Sequence, residues 1–97
     1  MSHRAITSDT VHNDHEAIAF LVECTMATIS GLLLKSKPPR GELERQISIA
    51  ETGMAWIGKD YEGGCGRVEK ARRLGGVRQW AQEFKPEYFA QFEAPEP

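Results

Sequence analysis

A chain of 97 residues has room for one hydrophobic core and not two, since independently folding units run to about 100–150 residues. Its composition, 40% hydrophobic and 27% charged, excludes the disordered and fibrous classes. The formal net charge of −2 argues against general attraction to nucleic acid, yet two stretches are locally basic. One holds Lys35, Lys37, Arg40 and Arg45 against Glu42 and Glu44; the other holds Arg67, Lys70, Arg72, Arg73 and Arg78 against Glu69.

Residues 1–13 read as an irregular arm. Met1 to Thr10 has no apolar stretch ahead of a small-residue cleavage site, so no secretory signal is expected and the location is expected to be cytoplasmic. Asp14 suits an N-cap, and the pattern predicts a first helix from about His15. Ile18, Leu21, Val22, Thr25, Ile29, Leu32 and Leu33 recur at helical spacing, and Phe20, Cys24, Ala27 and Leu34 widen the stripe until burial on two sides is expected. Glu23, Thr25, Thr28 and Ser30 interrupt the apolar run, which favours a core helix over a bilayer span. Pro38-Pro39 must stop the helix, with Lys35 and Lys37 at the negative end of its dipole.

A second helix is predicted from Arg40 or Gly41 to about Lys59, with Leu43, Ile47, Ala50, Met54 and Ile57 as a one-sided seam. The short link makes the pair an antiparallel hairpin. Gly63-Gly64-Cys65-Gly66 breaks the pattern. A basic helix over Arg67–Leu74 follows, then a turn or two carrying Val77, Trp80, Ala81 and Phe84, then a last helix opened by Pro86 through Tyr88, Phe89 and Phe92, with a frayed tail at 93–97. The fold class is all-α, one domain over 1–97: an antiparallel helical hairpin with short C-terminal helices. The small core and wide apolar stripe predict a homo-oligomer.

The residues offer little for catalysis, and no enzyme activity, cofactor or metal is expected. His12 and His15 with Glu16 share a helical face, but a metal needs three or four ligands and Asp9 and Asp14 are the nearby additions. Cys65 precedes a basic helix with no histidine after it to act as base, and both cysteines read as reduced thiols. Gly63–Arg67 offers backbone amides to a phosphate but lacks the lysine and hydroxyl of a P-loop. The Arg72-Arg73 helix, the double glycine and the Trp80 segment have a faint helix-turn-helix character, although the aromatic residues read as packing; DNA is not an expected partner, nor is a membrane. Trp56 and Tyr61 read either as core or as exposed rings on which a base stacks.

The stretch Glu44-Arg45-Gln46-Ile47-Ser48-Ile49-Ala50-Glu51-Thr52, closed by Trp56, resembles the second long helix of the anti-CBASS family. These are small helical phage proteins that sequester the cyclic oligonucleotide messengers of bacterial antiphage signalling. Pro38-Pro39-Arg40 stands where that family has its interhelical turn, and His12 before Glu16-Ala17-Ile18 is similar to its entry into the first helix. Val11 stands where the family has an aromatic residue, Ala55 where it has methionine, and the segment after Gly63 is extra.

The resemblance, over about residues 11–60, implies a homo-oligomer in the host-cell cytoplasm that holds a cyclic di- or trinucleotide between subunits without cleaving it. His12, Lys35, Lys37, Arg40, Arg45, Ser48, Thr52 and Trp56 are the implied ligand residues, and the first basic stretch agrees with this from charge alone. The alternatives are an inhibitor or adaptor that docks on a host defence protein through its aromatic C-terminal segment or through Arg67, Lys70, Arg72, Arg73 and Arg78, and, ranked below it, a DNA-binding protein.

Overall fold

The computed structural model describes the backbone of residues 8–58 and 66–92, with side chains from residue 15 onward within those ranges. It is all-α, and the described residues form five helices: α1 (Ser8–Leu33), α2 (Arg40–Ile57), α3 (Gly66–Leu74), α4 (Val77–Phe84) and α5 (Pro86–Ala90). The readings placed on residues 1–7, Lys59, Tyr61, Gly63, Gly64, Cys65 and 93–97 lie outside the described residues, as do the side chains of Asp9, His12 and Asp14.

The first helix starts at Ser8 and not near His15, so the expected irregular arm is helical from residue 8 to 13. Asp14 therefore lies within α1 and is not its N-cap, because no glycine or proline before Gly31 stops the helix from extending backwards. At the other end the prolines act as expected. α1 stops at Leu33, with the Leu34 amide still donating to the Ser30 carbonyl at 3.1 Å. α2 begins directly after Pro39, whose carbonyl accepts from the Leu43 amide at 2.9 Å. It closes on Gly58 at φ 76, a left-handed position suited to glycine, one residue short of the expected Lys59.

The core is a seam between the two long helices, covered at one side by the short ones. Val22, Met26, Ile29 and Leu33 of α1 are buried together with Leu43, Ile47, Ala50 and Ile57 of α2. Gly53 permits close approach here, since a Cβ at that position would lie 2.5 Å from Val22 Cγ2. Val68 and Ala71 from α3, Val77, Trp80 and Ala81 from α4, and Tyr88 and Phe89 from α5 complete the cluster. Each large apolar side chain removed from water contributes about 1.5–3 kcal/mol, which makes this seam the main source of stability.

Among the described residues, side chains from remote parts of the chain bond the backbone where the short helices meet the long ones. Glu23 of α1 accepts from the Arg67 and Val68 amides that open α3. Glu51 of α2 accepts from the Arg78 amide at the start of α4. Lys85 donates its Nζ to the Leu33 carbonyl at 2.6 Å, closing the end of α1. A carboxylate at a helix N-terminus and an ammonium at a C-terminus both satisfy orphaned backbone groups and match the helix dipole.

Burial of α1 on two sides does not occur. Phe20, Leu21, Cys24, Ala27 and Leu34 are exposed, and only the side bearing Ala19, Val22, Met26, Ile29 and Leu33 is buried. The chain is too small to supply a second layer: among the described residues one further long helix is present, and it packs against one side of α1. By length and composition alone His15–Leu33 is apolar enough to cross a membrane, with 28% of that segment buried inside the fold.

Candidate functional site

α2 places four of the expected ligand residues in one line. Arg45, Ser48, Thr52 and Trp56 are spaced by three and four, so they share a side of the helix opposite the buried Leu43, Ile47 and Ala50. All four are exposed, and Trp56 leaves 65% of its surface in solvent. The line is about 16 Å long at 1.5 Å per residue. Thr52 Oγ1 donates to the Ser48 carbonyl at 3.0 Å, which leaves its oxygen lone pairs facing outward as acceptors. Arg45 is tied back to the Glu42 carboxylate, to which Gln46 also donates at 2.8 Å. These two donors, Arg45 foremost, hold the Glu42 carboxyl below its usual range.

The cations of the bend lie at the Arg45 end of this line. Lys35 and Lys37 are exposed, and neither makes an ion pair among the described residues. The Arg40 guanidinium stacks 4.1 Å above the Phe92 ring. A cation–π contact uses the guanidinium charge without consuming its N–H donors, the groups that pair with phosphate.

The second basic stretch is different in space from what its sequence suggests. Arg67 pairs with Glu23 at 3.0 Å, Lys70 with Glu83 at 3.1 Å, Arg72 with Glu69 at 3.9 Å and Arg78 with Glu44 at 2.5 Å. The surplus counted along the chain is cancelled by carboxylates brought in from α1, α2 and α4. Arg78 and Glu44 show the coupling most clearly: hydrogen bonds between them pull the Glu44 carboxyl down and push the Arg78 guanidinium up. Arg73 alone of the five makes no ion pair among the described residues.

A cavity of about 780 Å³ opens between the end of α2, the end of α3 and the start of α4. Met54, Ala55 and Val77 give it an apolar wall, and Glu51, Glu69, Arg72 and Arg73 its charged rim. No sequence motif pointed to it. Its one legible signal is Gly75-Gly76, whose φ values of 103 and 151 permit the sharp turn from α3 into α4. Among the described residues no three His, Cys, Asp or Glu side chains gather in a metal-binding group. Compared with protein-family models, with curated proteins and with solved structures, the chain matches none.

Proposed function

We propose that the chain is a non-catalytic binding protein that captures a cyclic di- or trinucleotide and holds it intact, as a phage protein would to silence the nucleotide signal of a host defence. In this reading α1 and α2 form an antiparallel hairpin, the chain works as a homo-oligomer in the host cytoplasm, and the ligand sits between subunits. The observation that carries it is the exposed line Arg45, Ser48, Thr52 and Trp56 on α2. Leaving an indole in solvent forgoes the stabilisation that burial would give, and an exposed ring is the surface a base needs for stacking. Lys35, Lys37 and Arg40 at the bend supply charge for the phosphates, and hydroxyls at Ser48 and Thr52 suit sugar or phosphate oxygens. Holding such a ligand unchanged requires no nucleophile, base or metal.

The test is native mass spectrometry of the protein after incubation with a panel of cyclic di- and trinucleotides. The reading expects a multimer that retains one member with its mass unaltered; a multimer that retains none overturns it. The rival reading, a helical adaptor docking on a host protein through Arg67, Lys70, Arg72, Arg73 and Arg78, draws less support. Four of those cations already pair with carboxylates of their own chain.

A further inference from the structure

α1 has a second apolar face with its own period. Ala17, Cys24 and Gly31 recur every seven residues; Phe20, Ala27 and Leu34 follow each by three, with Leu21 and Thr28 beside them. All are exposed, Phe20 at 68%, Leu21 at 61% and Leu34 at 73%, and none carries a charge. Thr28 Oγ1 donates to the Cys24 carbonyl, so covering this face strands no hydroxyl proton.

We propose that a second copy of this chain packs on that face, with the two α1 helices antiparallel and Phe20 of one seated on the partner's Gly31. In an antiparallel heptad pair the first position of one helix meets the fourth of the other. Matching them here sets Phe20 against the partner's Gly31 and Cys24 against the partner's Ala27, with Ala17 reaching the partner's Leu34, the first residue past the end of its α1. No layer holds two large side chains, and the two-fold axis repeats each layer. A parallel pair would stack Phe20 on Phe20 and Gly31 on Gly31, a clash in one layer and a void in another.

Charge selects the same direction. The antiparallel register brings Glu16 to the end of the partner's α1, which the partner's Lys35 follows by two residues, whereas the parallel one sets Glu16 against Glu16 and Lys35 against Lys35. Spanning a lipid bilayer fits α1 less well, because α2 packs along it and would carry Glu42, Glu44, Arg45 and Glu51 into hydrocarbon. This interface rests on the oligomeric part of the functional reading; it leaves the α2 line on the outer side of each subunit, so a ligand held between subunits sits at a different contact, and the interface is independent of it.

Disulfide trapping tests it in a Cys24→Ser, Cys65→Ser background. A chain carrying both Phe20→Cys and Gly31→Cys is expected to oxidise to a linked dimer of twice the 10.8 kDa chain mass. Either substitution alone should stay unlinked, because positions 20 and 31 on one helix are about 16 Å apart and like positions then sit too far across the axis. Cross-linking by the single variants would overturn the antiparallel register. A monomer in sedimentation, or a monomer that floats with phospholipid vesicles, would overturn the interface itself. A Gly31→Leu chain keeps its fold, since nothing lies within 4 Å of that position, and should self-associate at least about tenfold more weakly; adding Phe20→Ala should restore association. No nucleotide enters these assays, so their failure and the failure of ligand capture are separate results.

Discussion

Glu23, in the middle of α1, accepts from the backbone amide of Val68 at 3.0 Å, 45 residues further along the chain. Its other oxygen takes the Arg67 amide at 3.1 Å and the Arg67 guanidinium at 3.0 Å. One carboxylate thus fixes where α3 begins. Glu23→Ala is expected to cost about 1–2 kcal/mol, as loss of an N-cap does, and to lower the thermal midpoint by roughly 5–10 °C. Glu23→Gln, which keeps an acceptor oxygen, should lose less. Thermal melts of the two variants check the order, and equal losses would show that charge alone matters.

Gly53 and Gly41 should respond to alanine with opposite signs. At Gly53 the new methyl would meet Val22 Cγ2 at 2.5 Å, and overpacking of about 1–3 kcal/mol outweighs a helix-propensity gain of about 1 kcal/mol. At Gly41 nothing lies within 4 Å, so the propensity gain stands with no opposing contact. Urea midpoints should fall for Gly53→Ala and rise for Gly41→Ala.

The Glu44 carboxyl is held low, first by its hydrogen bonds from Arg78. A folded value below the unfolded one means the pair stabilises fully above the ordinary glutamate range, near about pH 4.3, and loses that contribution as the pH falls through the folded value. Urea unfolding between pH 7 and pH 3 should therefore show a shallower acid loss in Glu44→Gln than in the wild type. Identical slopes would show that this pair does not anchor α4.

Local signals in the sequence located most of the helices. Pro38-Pro39 marked the break after Leu33, Gly75-Gly76 the break after Leu74, and Pro86 the start of α5, because proline and glycine act through their own backbone geometry. The seam Leu43, Ile47, Ala50, Met54 and Ile57 followed from spacing alone, and all but the partly buried Met54 are buried. The start of α1 did not, since Asp14 looks like a cap wherever helix can extend past it.

Pairings between distant residues were illegible. Nothing near Glu23, Glu51 or Lys85 in the chain announces that they cap α3, α4 and α1, and the carboxylates that cancel Arg67, Lys70 and Arg78 come from other helices. Of the expected ligand residues, the α2 line was legible because helical spacing is local. Whether Trp56 faced core or solvent was not, because that depends on where α1, α3 and α4 pack.

Stacking on Trp56 is the claim on which the functional account turns. Calorimetric titration of the wild type and Trp56→Ala with the same cyclic nucleotide tests it most directly. Base stacking on an aromatic ring is worth about 1–3 kcal/mol, so the variant should bind roughly 5–150-fold more weakly while unfolding at the same temperature, its side chain being mostly exposed. Equal affinities in the two proteins, or no binding tighter than about 10 μM in the wild type, would contradict the account.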